Sequence, residues 1–189
     1  KNRRLYHDMN NHNLVMWKLA EKGEYERLHK YIGKLRPLEK DRHRQWTQNL
    51  ILDMILEYKL LAMEKKKILY EIKTDMIGEI ALADKELCIL LGNLLDNAIE
   101  ACEKLEEEKR MVKIEVRKHH SMLMLIVENS CEAHAQVRKG IFRTTKKDDR
   151  MHGYGIHNVR KTVKNRGGQF QYGSRGENFY VKILIPLVI

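Results

Sequence analysis

The stretch LGNLLDNAIEA, residues 91–101, combines a helical apolar repeat with two asparagines in register. It belongs to a longer segment, from Asp84 to about Lys104, whose apolar residues recur at three- and four-residue steps. Asp84 is of a residue type that caps helix N-termini, so we predict an amphipathic helix that begins there. Its buried stripe consists of Leu90, Leu91, Leu94, Leu95, Ala98 and Ile99.

Three polar residues share the opposite face of this predicted helix. Asn93, Asn97 and Glu100 lie at positions i, i+4 and i+7. Asparagine is a mediocre helix former, so two in register lower the helix propensity. One interpretation is an interhelical polar contact or a solvated face, which composition alone favours. The other is a hard-cation site, in which amide oxygens and one carboxylate hold Mg²⁺ while nucleotide phosphates complete the octahedron.

A second cluster, HGYG at residues 152–155, leads into the helical pattern IHNVRKTV. Two glycines at a helix start let the backbone approach an anion, and the free N–H groups together with the helix dipole favour phosphate. An ordinary flexible turn would have the same sequence. The third glycine of a dinucleotide-binding fingerprint is missing, and no GxxxxGK[ST] motif of a P-loop occurs.

The segments around these two clusters mix strand and helix patterns. Alternating residues predict strands, and a polar stretch from 131 to 152 precedes a helix from Gly155 to Lys164. The last two strands hinge on residues 175–177 and must be antiparallel, so we predict an α+β layer structure. The predicted strands are 68–75, 111–120, 122–129, QFQYGS and NFYVKILIPL.

The N-terminal third of the chain is helical in pattern. One helix is predicted over residues 4–35, and Gly33 and Pro37 then break the pattern. A second helix, over 39–65, has two adjacent apolar stripes, and two helices alone cannot bury both. A second copy of the chain would complete a four-helix bundle, although a packed neighbouring domain would also serve. After the basic run that ends at Lys67, the helical pattern gives way to mixed strand and helix patterns. This change predicts two domains, residues 1–65 and 66–189.

Composition excludes several classes of protein. The chain has 189 residues, 33% charged and 43% hydrophobic, with a net charge of +10, which is too apolar for a disordered chain. No uncharged apolar run is long enough to span a bilayer, and the N-terminus has no apolar core of a signal peptide. We interpret the sequence, which opens without Met, as a piece of a longer chain. Three cysteines without a CxxC pair suit a reduced cytosolic compartment.

The basic charge has two interpretations. It would attract the phosphates of nucleic acid, nucleotide or anionic lipid, or it would form a generic solvated surface. Basic and acidic residues are interleaved along the chain, which favours the second interpretation. No predicted helix shows a one-sided stripe of Lys and Arg, so we expect no direct contact with nucleic acid.

The order of these motifs resembles one known family. Residues 91–101 look like the N box of the GHKL (Bergerat-fold) ATPases, residues 152–159 like their second glycine box, and residues 131–152 like their ATP lid. With His7 and Asp8 on the first helix, the chain resembles the cytoplasmic half of a bacterial sensor histidine kinase. The subgroup it resembles includes the peptide-pheromone, Agr-type quorum-sensing receptors. The resemblance covers nearly all 189 residues.

The resemblance implies a fold, cofactors and partners. Residues 1–65 would form an N-terminal helical hairpin that dimerises as a four-helix bundle and carries the phosphoacceptor. Residues 66–189 would form a GHKL α/β-sandwich that binds ATP and Mg²⁺. The expected partners are a second copy of the chain and a cognate response regulator. A membrane would be reached only through a sensor region outside this sequence, so this part is expected to be cytoplasmic.

The resemblance also assigns roles to single residues of the nucleotide site. Asn97 matches the asparagine whose side-chain oxygen holds Mg²⁺, and Asn93 matches the one that faces the phosphates. Asn129 stands where most of the superfamily has an adenine-reading Asp, a departure that the pheromone-receptor subgroup shares. An amide accepts from the exocyclic amine but holds it less strongly than a carboxylate. The remaining cofactor-binding assignments are Glu100, Thr145, Lys146, Gly153 and Gly155.

His7 is the predicted phosphoacceptor among nine histidines. An Asp follows it directly, and the pair matches the family's phosphoacceptor box. An imidazole with one nitrogen deprotonated is a nucleophile near neutral pH, and a neighbouring carboxylate would orient it and accept its proton. Asn11, one turn beyond His7, matches a position that places a water for dephosphorylating the partner.

Two other functions are weighed against the kinase. A degenerate dimeric module would bind ATP without autophosphorylation, which Asn129 motivates and the intact His7, Asp8, Asn93 and Asn97 argue against. A basic DNA-binding dimer would need a stripe of cations that the sequence lacks. An ATPase of the chaperone or topoisomerase kind is not expected, because the resemblance accounts for nearly all 189 residues without a transducer domain, and His7 and Asp8 would have no purpose in it.

Overall fold

The computed structural model describes residues 2–35, 45–132 and 154–187. The chain divides into two compact units, Lys1–Arg42 and His43–Ile189. The first unit is helical, and the second combines helices with a β-sheet.

The first unit contains two helices, α1 (Asn2–Glu21) and α2 (Tyr25–Leu35). The prediction of one continuous helix over 4–35 is wrong, because the chain turns at Gly23. That glycine has a φ of 69°, in the left-handed region where other residues are strained, and its N–H bonds to the carbonyl of Ala20. The left-handed residue ends α1 and lets α2 fold back as the second arm of a hairpin.

Few residues hold the two arms of this hairpin together. His12 Nδ1 and the Tyr31 hydroxyl lie 2.8 Å apart across the arms, and the two rings are in contact. No residue of α2 is buried, and Leu14 and Trp17 of α1 are exposed. Among the side chains of residues 10–35, none is buried, so this described part of the hairpin forms no closed apolar core.

The second unit is built on a five-stranded sheet in the order β1-β2-β3-β5-β4. β1 runs parallel to β2, and the other neighbours are antiparallel. All five predicted strands are present, and the predicted C-terminal hairpin is confirmed. The strands are β1 (Leu69–Thr74), β2 (Met111–His119), β3 (Met122–Ser130), β4 (Gln169–Arg175) and β5 (Asn178–Pro186).

The third helix, α3 (Leu50–Lys65), belongs to this second unit. Sequence analysis placed the domain boundary at residue 65, whereas the two compact units divide between residues 42 and 43. The physical reason is that one apolar stripe of α3 is buried in the core of the second unit, while the other stripe, Leu50, Met54 and Tyr58, stays exposed. The buried stripe is Leu52, Leu56, Leu60 and Met63.

The N-terminus of α3 is closed by side-chain caps. The helix starts at Leu50 rather than at 39 because Asn49 caps it, its side chain accepting from the N–H of Leu52. Asp53 in the first turn accepts from the N–H and the hydroxyl of the buried Thr47.

The predicted helix over residues 84–104 contains a wide turn. It consists of α4 (Asp84–Leu87), a π-helical turn (Cys88–Gly92) and α5 (Asn93–Cys102), with helical backbone angles at both junctions. The cap is Ala83 rather than Asp84, and its N–H donates to the Glu86 carboxylate at 3.0 Å. A π-helical turn shifts the register of the helix after it, and such turns are frequent at functional sites.

One apolar core lies between the helices and the sheet. Alternate residues of β2, β3 and β5 are buried, α5 packs on β2 and β3, and α6 (Tyr154–Asn165) packs on β4 and β5. The second unit is thus a layer of helices on a mixed sheet, as predicted. Across the described ranges, no helix is both long and apolar enough to cross a membrane.

Candidate functional site

Two asparagines of α5 form the centre of the candidate site. Asn93 and Asn97 are half-buried on adjacent turns. The Asn93 amide donates to the carbonyl of Ile89 at 2.7 Å, and the Asn97 amide donates to the carbonyl of Asn93 at 2.8 Å. Each N–H₂ group is therefore used within the helix, and each side chain offers its amide oxygen as the acceptor or ligand.

The first turn of α6 lies against Asn93. A Cβ atom placed on Gly155 would come within 3.0 Å of the Asn93 Oδ1 atom, so the glycine lets α6 approach this side chain. Gly155, the last residue of the predicted glycine turn, therefore lies beside Asn93 of the predicted asparagine face. The N–H groups in the first turn of a helix have no partner within the helix, and with the positive end of the helix dipole they suit an anion such as phosphate.

Asn129 lies in the row of buried residues on β3. It is 5% exposed, stands opposite Val112 on β2 and Phe179 on β5, and its amide donates to the carbonyl of Ser130 at 2.8 Å. A buried polar side chain at the end of an apolar row is costly unless it is hydrogen-bonded. As with the other two asparagines, the side-chain oxygen is the atom left to accept a hydrogen bond from a ligand.

Of the other predicted cofactor-binding residues, the structure describes Glu100. Glu100 is exposed on the next turn of α5, on the same face as Asn97. Gly153, Thr145 and Lys146 lie outside the described residues.

The predicted phosphoacceptor lies in the first unit. His7 and Asp8 belong to α1, and Asn11, one turn later, is exposed. The site of α5 and α6 and the predicted phosphoacceptor are therefore on different compact units.

Two ion pairs that involve the helices of the site, or residues beside them, were not predicted from the sequence. The Lys59 ammonium on α3 lies 2.5 Å from the Asp96 carboxylate, one residue before Asn97, and Arg166 makes a two-point contact with Glu86 at 2.8 and 2.5 Å. The only sequence signal for the first pair was a lysine beside the buried stripe of α3. The second pair joins residues 80 positions apart, which no local pattern predicts.

The pKa shifts of Glu86, Cys102 and Cys131 fit structural rather than catalytic roles. The hydrogen bond from Arg166 holds the pKa of the Glu86 carboxyl below its ordinary value, against the opposing effect of burial. Burial raises the pKa of the thiols of Cys102 and Cys131. Both thiols are therefore poor nucleophiles, since the thiolate is the reactive form.

The donor set indicates what this site can hold. Among the described residues, no three His, Cys, Asp or Glu side chains cluster as a metal site. The amide oxygens of Asn93 and Asn97 are hard ligands of the kind that Mg²⁺ accepts, but they are neutral. Such a site holds the cation only together with an anionic ligand, so the arrangement fits a metal–phosphate complex rather than a free ion.

Comparisons with known proteins give a family and a fold for this chain. A family model described as the GHKL domain matches residues 82–186. No curated protein matches the chain. Among solved structures, the catalytic domain of histidine kinase ThkA has 22% identity and a TM-score of 0.59, with 74% of this chain and 91% of that chain covered.

Two further solved structures have the same fold at lower identity. The Acinetobacter baumannii histidine kinase AdeS has 15% identity and a TM-score of 0.53, with 97% of this chain and 98% of that chain covered. Full-length ShkA in complex with AMPPNP has 16% identity and a TM-score of 0.55, with 73% of this chain and 29% of that chain covered. At these identities the likeness establishes the fold.

Proposed function

This chain belongs to the GHKL domain family, whose fold is an ATP-binding fold, and we propose that it is an ATP-dependent protein histidine kinase of a two-component system. The observation that carries the proposal is the contact between α5 and α6. The Asn93 side chain meets the first turn of α6 at Gly155, Asn97 lies one turn further along α5, and the predicted phosphoacceptor pair, His7 and Asp8, lies on a separate helical unit.

The nucleotide site would use the residues already described. Asn97, with Asn93 beside it, would hold Mg²⁺ through amide oxygens, and the N-terminal N–H groups of α6 would face the phosphates. The ion would supply charge neutralisation to the triphosphate. Gly153, Thr145 and Lys146 would complete the lid side of the site. Asn129 would accept from the exocyclic amine of adenine.

The proposed reaction is an in-line phosphoryl transfer. A nitrogen of the His7 imidazole attacks the γ-phosphorus, a P–N bond forms, and the bond from the γ-phosphorus to the β–γ bridging oxygen breaks. Asp8 accepts the imidazole proton, and ADP leaves. The protein acts mainly by positioning and charge stabilisation, since phosphoryl transfer needs little covalent assistance.

We further propose that the chain is a homodimer through its first unit. The α1–α2 hairpin leaves Leu14, Trp17, Tyr25 and Leu35 exposed and buries no residue of α2. A second hairpin would cover these side chains and complete a four-helix bundle, which supplies the apolar contact that the hairpin lacks.

The remaining partners are inferred from the resemblance. The phosphate would pass from His7 to an Asp of a response regulator, and Asn11 would place a water that hydrolyses the phosphate from that regulator. An Agr-type peptide sensor, outside this sequence, would set the activity of the kinase and tether it to the membrane, leaving this part in the cytoplasm.

A degenerate ATP-binding module is the second candidate function. Asn129 favours it, because an amide holds adenine less strongly than the usual carboxylate. Such a module would bind nucleotide and form no phosphohistidine.

Incubation with γ-phosphate-labelled ATP and Mg²⁺ separates the two functions. The kinase predicts label on the protein that is stable to alkali, labile to acid and absent from His7→Ala. Nucleotide binding without label in the wild type would favour the degenerate module instead. His43→Ala is the matched control, since it removes a histidine outside the phosphoacceptor box.

A further inference from the structure

Two lysine–carboxylate pairs join α3 to the helix that carries the asparagines. Lys59 Nζ lies 2.5 Å from Asp96 Oδ1, and Lys66 pairs with Glu103. The second pair lies seven residues after the first in both segments, which is about two turns of an α-helix. The two pairs therefore fix α3 and α5 side by side, in one register.

The two pairs differ in how firmly they are held. The Lys59 side chain is 11% exposed and lies beside the buried stripe of α3, although its partner Asp96 is 57% exposed, whereas the Lys66 and Glu103 side chains are 38% and 40% exposed. The packed stem of Lys59 restricts where its ammonium can lie, so this pair loses less side-chain entropy than a pair between two freely exposed side chains. An exposed pair is weakened by solvent and salt. The first pair is therefore the stronger constraint on α5.

The first pair also involves the part of α5 that carries the two asparagines. Asp96 is three residues after Asn93 and one before Asn97. The amide groups of both asparagines are fixed to carbonyls of the same helical run, so their oxygens move with α5. Glu103, by contrast, is the residue directly after α5, beyond the asparagines.

We propose that Lys59 is a positioning residue for the nucleotide site, which acts through Asp96 to fix the placement of α5 and thus of the Asn93 and Asn97 oxygens. The consequence for nucleotide affinity rests on the proposed function; the placement of the asparagines does not. α3 precedes α5 in the second unit, so a displacement of α3 would reach the asparagines through this pair.

The test compares Lys59→Met with Lys66→Met in the full chain. Methionine keeps an unbranched stem and removes the charge, so both variants lose one lysine–carboxylate pair between the same two segments. The first measurement is the position of the Asn93 and Asn97 side-chain amide resonances in nitrogen–proton spectra, assigned with Asn93→Gln and Asn97→Gln. The second is the dissociation constant for Mg²⁺ with a non-hydrolysable ATP analogue.

Lys59→Met is expected to move both amide resonances and to raise the dissociation constant by about three- to tenfold. Lys66→Met should leave the resonances in place and change the constant by less than about twofold. Lys59→Arg, which keeps the charge, should restore most of the affinity. Because Lys59 acts through Asp96, the effects of Lys59→Met and Asp96→Asn should not add in the double variant.

The inference would be overturned if the Asn93 and Asn97 amide resonances did not move in folded Lys59→Met. It would also be overturned if they moved as far in Lys66→Met as in Lys59→Met. Thermal unfolding of each variant identifies the temperature range in which all of them are folded, so that a loss of stability is not mistaken for a displacement. If the wild type binds no Mg²⁺–nucleotide, the proposed function fails, and the amide resonances alone then decide whether Lys59 positions α5.

Discussion

Three asparagines show the same chemistry at the scale of single residues. Asn93, Asn97 and Asn129 each donate an amide N–H to a backbone carbonyl, which leaves the oxygen as the group offered to a ligand. A neutral oxygen binds a divalent cation more weakly than a carboxylate does, so the phosphates must supply the missing charge. We therefore expect the affinities for Mg²⁺ and for nucleotide to depend strongly on each other.

Gly155 gives the most local test of this site. In Gly155→Ala the new Cβ atom would lie 3.0 Å from Asn93 Oδ1, so the amide must move, and we expect nucleotide affinity to fall about tenfold. Gly92→Ala is the matched control, since nothing lies within 4 Å of its Cβ position and its φ is −58°. Calorimetric titration measures both. Equal affinities in the two variants would contradict the contact.

Sequence reasoning found the asparagines but not their neighbouring cations. Asn93 and Asn97 were identifiable because polar residues at i and i+4 interrupt a helical apolar pattern, which is a local property. The partner of Lys59 is 37 residues away, and that of Arg166 is 80 residues away. Such pairs depend on how helices pack, and no spacing along the chain encodes them.

Two junctions between elements determine where α6 lies. At its C-terminus, Gly167 has a φ of 63° and Gly168 donates to the carbonyl of Val163, which ends the helix. Arg166, between helix and glycines, contacts Glu86 on α4. The helix that meets Asn93 at one end is thus fixed to the helical run of Asn93 at the other.

Gly168→Ala should strongly destabilise the second unit. A Cβ atom at this position would lie 2.5 Å from the carbonyl oxygen of Leu184 and 2.9 Å from Val163 Cγ1, and the backbone of β5 cannot move aside freely. The expected loss is about 1–3 kcal/mol in the free energy of unfolding. Denaturant titration measures it, and stability equal to that of the wild type would show that α6 and β5 are further apart.

The Glu86–Arg166 pair predicts a pH dependence of stability. The pKa of Glu86 is lowered in the folded state, so the pair stabilises the fold above the ordinary carboxyl range. That contribution is lost as the pH falls through the lowered pKa. Glu86→Gln should therefore cost about 1–2 kcal/mol at neutral pH and progressively less in acid. Unfolding curves across this range test the sign: a difference that grows in acid would contradict it.

The strands were predictable and the helix boundaries were less so. Alternation with a period of two is clearest in β2, β3 and β5, because alternate residues of these strands are buried. The turn at Gly23 was missed because the apolar spacing continues through it. The membership of α3 in the second unit was missed because both of its stripes are apolar, and only tertiary packing determines which one is buried.

At the scale of the whole molecule, the proposed dimer depends on the exposed apolar residues of α1. Replacing Leu14 and Trp17 together with Glu should convert a dimer into a monomer, because two buried charges at the interface would be unpaired. The same change at Leu50 and Met54, an equally exposed pair on α3, should leave the dimer intact. Light scattering after gel filtration gives the mass of each, and a monomeric wild type would contradict the proposal.

The central claim, that the meeting of α5 and α6 is a nucleotide site, is tested most directly by calorimetric titration with ATP and Mg²⁺. The full chain should bind one nucleotide per chain, more weakly when Mg²⁺ is chelated, and Asn97→Ala should lose at least about tenfold in affinity. Asn158→Ala, which removes an exposed asparagine of α6, should bind as the wild type does. A wild type that binds no nucleotide, or an Asn97→Ala variant that binds it equally well, would contradict the claim.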